Sequence, residues 1–154
     1  MLDTYEIHNL LPFLLASPLF KDAEYSLLMD QLKAANKQTL SAREPLLVPG
    51  KRNDNVYLVL SGRLRVHYRI SDEPIALVGQ TECVGELSIL DDGVASAYVI
   101  ADTDCELLVI GRAEVWSLIN TSHQVARNML NIVIRRMHDA NRKLTGMPDQ
   151  PAPV

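Results

Sequence analysis

A mainly β fold with helical flanks (α+β) is the class this sequence predicts: an antiparallel β-roll or jelly roll (double-stranded β-helix) with N-terminal helices before it and a long C-terminal helix after it. Three observations carry the expectation. Short apolar runs between residues 39 and 111 are broken by turn dipeptides at close spacing, as strands of a roll are. Helical periodicity is confined to the two flanks of that stretch. The longest amphipathic repeat, residues 121–145, comes last.

The order of elements follows from the same signals. Residues 1–17 form an extension predicted to be helical over 2–15, where Ile7, Leu10, Leu11, Leu14 and Leu15 fall at helical spacing and Pro12 marks a kink or boundary. Ser17-Pro18 reads as an N-cap followed by a proline in the first turn. That pair opens a second helix through Leu32, with Phe20, Leu27, Leu28 and Leu32 inward. Both helices are expected to cover the roll assigned to residues 18–120, and the first is also a candidate docking element. Leu46–Val48 is followed by Pro49-Gly50, and Asn53-Asp54-Asn55 is a second turn before the apolar run Val56–Leu60. After Ser61-Gly62, the residues Leu64, Val66, Tyr68 and Ile70 alternate with Arg63, Arg65, His67 and Arg69, predicting one core face and one basic, wet face. Ile75–Val78, Ala97–Ala101 and Cys105–Ile110 are further strands, and seven or eight short strands are expected over the whole stretch.

Past Gly111 the helical period returns, with a short helix over Arg112–Ile119. Thr121-Ser-His-Gln124 matches a capping box and places the start of the long helix near Ser122. Along it Ala126, Leu130, Val133, Met137, Ala140 and Leu144 recur at alternating spacings of four and three, the seam of a coiled coil. Val125, Met129 and Ile132 form a second stripe, so one part of the apolar face can pack on the roll and the other on a partner helix. Gly146 and Pro148 end the helix, and the tail 146–154 is expected to be disordered.

Composition narrows the function classes. A chain of 154 residues with 47% hydrophobic content suits one core, burying about 70% of the surface its unfolded form exposes. The net charge of -4 argues against a general nucleic-acid or anionic-membrane surface, leaving small molecules and proteins as partners. Cys83 and Cys105 are widely separated and fit neither a disulfide framework nor a four-cysteine cluster. No run reaches the length of a membrane span, and Asp3 and Glu6 stand where a signal peptide would be basic, so a cytoplasmic location is expected. No phosphate-binding Walker loop, nucleophile elbow or metal-spaced His/Cys pair occurs; the chain is expected to be neither an enzyme nor a metal protein.

Gly85-Glu-Leu-Ser-Ile-Leu-Asp-Asp-Gly-Val-Ala-Ser-Ala-Tyr98 is the stretch with chemistry in it. A glycine and a carboxylate open a short apolar turn whose first free N–H groups, at Leu87 and Ser88, can hold an anion, while Glu86 can accept from sugar hydroxyls and Gly85 admits close approach of a ligand. The stretch resembles the phosphate-binding cassette of cyclic-nucleotide-binding domains, in the sensory half of the catabolite-activator (Crp/Fnr) superfamily. Tyr57-Leu-Val-Leu-Ser-Gly-Arg-Leu-Arg-Val66, after Pro49-Gly50, resembles that family's early barrel strands. The resemblance covers about residues 18–145.

It implies a ligand set of Gly85, Glu86, Leu87 and Ser88 at the cradle, Ala95, Ser96 and Ala97 at the phosphate, Arg136 near Glu86, and Asn141 near a purine ring. It also implies a homodimer through the long helix. The family carries arginine where this chain has Ala95; loss of one partner of such a charge pair costs about 2–5 kcal/mol, roughly 30-fold to several thousand-fold in affinity. Three outcomes follow: a vestigial pocket, a substitute cation such as an arginine of the Arg63–Arg69 stripe, or a different ligand. The cofactor implied is cAMP or another cyclic mono- or dinucleotide, or none. Transcription factors of the superfamily continue into a helix-turn-helix domain, whereas few residues follow the long helix here, so the expected partner is a protein effector and not DNA. A haem sensor would need an axial ligand from His67, His8 or Cys83.

Overall fold

The computed structural model describes residues 1–91 and 93–146; the expected disordered tail lies outside these, apart from Gly146. The elements run α1 (Thr4–Ala16), α2 (Tyr25–Leu32), β1 (Asn36–Leu40), β2 (Pro45–Leu47), β3 (Asn55–Ser61), β4 (Leu64–His67), β5 (Ala76–Val78), β6 (Cys83–Val84), α3 (Glu86–Leu90), β7 (Tyr98–Ala101), β8 (Cys105–Gly111), α4 (Arg112–Thr121) and α5 (His123–Thr145). The strands form two four-stranded antiparallel sheets, ordered β1-β8-β3-β6 and β2-β7-β4-β5. This is the β-roll with helical flanks expected from the turn spacing.

Strand β3 explains why Val56–Leu60 reads as an unbroken apolar run. Its Tyr57 and Val59 point between the two sheets, where they meet Leu64, Val66, Val99 and Leu107. Its Val56, Leu58 and Leu60 point the other way, into a second core built with Ile7, Leu14, Phe20, Leu28, Leu32 and the α4–α5 residues Val115, Leu118, Val125 and Met129. A strand buried on both faces has no polar side to alternate with.

Helix α1 begins on a full capping box in which Asp3 accepts from the Glu6 N–H and Glu6 reaches back to the Asp3 N–H. Pro12 lies inside it and does not end it. The second helix does not begin at Ser17-Pro18. Ser17 Oγ does accept from the Phe20 N–H at 3.2 Å, but Asp22 takes φ of +60°, which a right-handed helix cannot pass through, and α2 starts only at Tyr25. The strict alternation expected through Ile70 also stops early. Strand β4 ends at His67, whose side chain is buried with Nδ1 3.0 Å from the Asp72 carbonyl, and the chain turns there, leaving Tyr68 and Ile70 exposed.

Ser122 caps α5 as expected, its Oγ accepting from the Val125 N–H. Gln124 does not complete a capping box; its amide donates instead to Asn128 Oδ1. Asn128 is buried and donates in turn to the carbonyls of Leu19 and Lys21, pinning α5 to the turn that precedes α2. Gly146 closes the helix in the left-handed region at φ of +64°.

Candidate ligand-binding site

The cassette residues sit where β6 runs into α3, under the middle of α5. Gly85 takes φ of +91°, and a Cβ there would stand 2.5 Å from the Asn55 carbonyl oxygen. The turn behind it, at Asn53–Asn55, therefore demands a glycine by itself, and the residue also lines the recess in front. Glu86 follows and is 2% exposed. Its Oε1 lies 3.0 Å from Arg136 Nη2, and its Oε2 is buried with no hydrogen-bond partner among the described residues. Burial raises the pKa of this carboxyl above the usual range, against the pull of the Arg136 guanidinium. Arg136 also donates to the Cys83 carbonyl at 3.1 Å, so one side chain of α5 holds both β6 and α3. Burial pushes the Cys83 thiol up, keeping it protonated.

Ser88 is buried, with Oγ 3.5 Å from the Val94 carbonyl, and Leu87 stands partly exposed at the rim. Ala95 is 4% exposed and held on both sides of the peptide: its N–H donates to the Lys51 carbonyl at 2.9 Å and its carbonyl accepts from the Gly50 N–H at 3.0 Å. Its side chain faces a recess of about 70 Å³ shared with Gly85, Glu86, Ser88, Ser96, Ala97 and Arg136. That recess is too small for a nucleotide, but it adjoins a cleft of about 840 Å³ through the shared walls Val66, Leu87, Ser96, Ala97 and Arg136. The cleft lies within the size range of small-molecule sites, roughly 300–1,000 Å³. Tyr68, Ile75 and Ala76 line its far wall, and Val133, Met137, Ala140, Asp139, Arg142 and Lys143 of α5 line the near one.

The structure thus brings Gly85, Glu86, Leu87, Ser88, Ala95, Ser96, Ala97 and Arg136 together around one recess. It does not bring Asn141 there: that side chain is exposed and is not among those lining either cavity. Four residues from Met137 and seven from Ile134, it shares their outward face of α5. The basic stripe of β4 does not reach the site either. Arg63 pairs with Asp102 at 2.5 Å, and Arg65 Nη1 lies 3.5 Å from His67 Nε2 on the outer face of the sheet. The Asp72 carbonyl can only accept, so His67 Nδ1 carries the proton and Nε2 is left to receive the arginine.

The cations that do line the cleft are Arg136, Arg142 and Lys143. Sequence reasoning passed over Lys143 as a site residue, although it lies seven positions after Arg136 and so on the same helix face. Its Nζ donates to the Ile75 carbonyl, and desolvation lowers its pKa. Arg142 is paired with Asp139. Among the described residues, no group of three or more His, Cys, Asp or Glu side chains is placed to hold a metal ion, and no helix is long and apolar enough to cross a membrane.

Comparison with known proteins agrees with this geometry. The family model for the cyclic nucleotide-binding domain matches residues 37–122. The cyclic AMP receptor protein of Thermus thermophilus is 35% identical over 104 residues, covering 66% of this chain and 48% of that protein; the chain spans about half the length of this curated relative. The crystal structure of the Thermus thermophilus catabolite activator protein superposes with a TM-score of 0.72 at 30% identity, over 84% of this chain and 62% of that one. A regulatory subunit of a cAMP-independent protein kinase A from Trypanosoma brucei shares the fold, with a TM-score of 0.71 at 15% identity over 92% of this chain and 50% of that one. Matched over more than half its length by the family model, with its cassette folded as a buried cradle against a long helix, the chain belongs to the cyclic nucleotide-binding domain family.

Proposed function

We propose that the chain is a regulatory module in which the 18–120 roll senses a small phosphate-containing ligand and the 121–145 helix passes the signal on. The ligand is cAMP or another cyclic mono- or dinucleotide, seated in the cleft with its phosphate toward Ser88, Ser96 and Ala97. The module works as a homodimer through α5 and acts on a protein effector, without enzymatic chemistry, in the cytoplasm. The observation that carries this reading is the ion pair between Glu86 of the cassette and Arg136 of the long helix, beside a cleft of about 840 Å³. A sugar hydroxyl donating to the orphan Glu86 Oε2 would change the partnership that fixes α5, and a ligand that favours one helix position over another shifts the population between them.

Ala95 favours a second reading, a docking scaffold that no longer binds nucleotide, because among the described residues the recess has no cation on the cassette side. Calorimetric titration of the wild type and of Ala95→Arg with cAMP, cGMP and cyclic di-GMP separates the two. The sensor reading expects a measurable dissociation constant for the wild type with at least one nucleotide, and cAMP binding tighter by roughly 30-fold or more in the variant. No heat from the wild type at millimolar nucleotide, with tight cAMP binding by the variant, leaves the scaffold reading standing and ends the sensor reading.

A further inference from the structure

The cations lining the cleft pair off, and one is left over. Arg136 is matched by Glu86 at 3.0 Å, and Arg142 by Asp139. Lys143 is in no ion pair among the described residues; its Nζ donates to the Ile75 carbonyl, a neutral partner. Asp139, one turn earlier on α5, attracts the amine only from beyond pairing distance, and desolvation outweighs that pull and lowers the lysine pKa. The chain as a whole carries a net charge of -4, yet the described residues lining this cleft include three cations, Arg136, Arg142 and Lys143, against the single carboxylate of Asp139.

The position of the unmatched cation bears on what the cleft can hold. Lys143 follows Arg136 by seven residues, so it lies on the same face of α5, about 10 Å further along the helix. The wall between them, Met137 and Ala140, is apolar, as are Ile75 and Ala76 opposite. A cyclic mononucleotide with its one phosphate at Ser88, Ser96 and Ala97 would lay its base along this apolar stretch and bring no negative charge to Lys143. At about 840 Å³ the cleft stands toward the upper end of the range for small-molecule sites, roughly 300–1,000 Å³. There is room beyond the base, and a cation at the end of it.

We propose that Lys143 is a second anion site of the cleft, and that the ligand is a nucleotide with two separate phosphate groups, one seated at the cassette and one at Lys143. The proposal rests on the sensor reading above and narrows its ligand. The second phosphate takes the place of the Ile75 carbonyl at Nζ and supplies the missing counter-charge; a hydrogen bond from an ammonium to a phosphate is about twice as strong as one between neutral groups. Two kinds of molecule share this chemistry, a ring of two nucleotides and an open nucleotide phosphorylated on both sides of its sugar.

Calorimetric titration of the full chain separates them. cAMP and cGMP carry one phosphate; cyclic di-AMP and cyclic di-GMP, and the 3′,5′-bisphosphates of adenosine and guanosine, carry two. The quantity read is the ratio of affinities, two phosphates over one, for the same base. In the wild type it is expected to reach roughly tenfold or more for one of the two kinds, the effect of one hydrogen bond to a charged group. It should shrink as salt rises from about 0.1 to 1 M, because Lys143 lies at the exposed end of the cleft. The second base of a ring dinucleotide adds contacts of its own, so the variants decide. Lys143→Met keeps the stem without the amine and should lower the ratio by roughly tenfold, whereas Lys143→Arg keeps the charge and most of the ratio. Lys143 is exposed in the last turn of α5, so neither substitution touches a core.

A wild-type ratio near one for both kinds overturns the second anion site. So does a ratio unchanged in Lys143→Met, or one lost equally in Lys143→Arg. In each of these cases a nucleotide still binds, and the sensor reading stands. Absence of binding by all of these nucleotides at millimolar concentration overturns both.

Discussion

The carboxyl of Glu86 gives one oxygen to Arg136 and, among the described residues, has no partner for the other, and burial raises its pKa despite the guanidinium. Unfolded, the group ionises at its ordinary value; folded, it holds its proton to higher pH. Between those two values the folded state binds more protons than the unfolded one, so stability is fully present below the ordinary value and falls as pH rises through the folded value. Glu86→Gln keeps the shape and removes the charge. It is expected to melt a few degrees above the wild type at neutral pH, with about 2–4 °C for each kcal/mol in a chain of this size. Thermal scans between about pH 4 and 8 should show the gap closing as pH falls and the wild-type carboxyl takes up its proton; a gap that is absent, reversed or independent of pH refutes the account. The acidic character of this site was legible in the sequence, but its electrostatics were not. The contact with Arg136 came from family resemblance, since no local spacing links positions fifty residues apart. That Gly85 also has to clear the Asn55 carbonyl behind it could not be read from the sequence.

At the scale of elements, α5 shows both what periodicity reveals and where it stops. Its two stripes were visible as spacings of three and four, and the inner one, Val125, Met129 and Ile132, is buried against the roll. The residues of the expected seam differ in exposure. Ala126, Val133 and Ala140 are half-buried, whereas Leu130, Ile134, Met137 and Leu144 stand 63%, 45%, 54% and 84% exposed, and Val133, Met137 and Ala140 line the cleft. One edge of the helix faces Tyr68, Ile75 and Ala76 across the cleft, which heptad counting does not see. With Ile134 and Asn141 in the sequence positions between Leu130, Met137 and Leu144, the exposed set reads leucine or methionine alternating with a β-branched residue and an asparagine, a pattern suited to a two-stranded coil. If the wild type is dimeric through this face, light scattering gives about twice 17.2 kDa. The pair Leu130→Glu with Met137→Glu is then expected to fall to the single mass. Two apolar side chains at about 1.5–3 kcal/mol each correspond to a dissociation constant weakened by roughly a hundredfold or more. The melting temperature of the dissociated chain should stay near that of the diluted wild type, because neither residue is in its core. A wild type already at the single mass at high micromolar concentration removes the dimer from the proposal.

For the whole molecule, turn density was enough to give the roll, and the strands it missed are instructive. Strand β1, Asn36-Lys-Gln-Thr-Leu40, has one apolar residue and is a strand because all five positions pair with β8. Strand β6 is two residues long and exists only through its pairing with β3. In both cases the partner, and not the local sequence, makes the element. The same dependence joins the two cores. Strands β3 and β8 present one face to the core between the sheets and the other to the core under the helices, so neither core can open while the other keeps these strands in place. Unfolding is therefore expected to be one transition. Trp116, packed against the helical core, and far-ultraviolet dichroism, which reports all strands and helices, should give the same urea midpoint, as two-state behaviour requires. Leu58→Ala makes the argument sharper, because Leu58 is fully buried on the helical face of β3. It should lower stability by about 2–5 kcal/mol, or roughly 4–20 °C, and displace both signals equally although the cavity lies in one core only. Separation of the two midpoints, in either protein, would mean that the helices come off the roll before it unfolds, and that β3 and β8 do not bind the two cores into one cooperative unit.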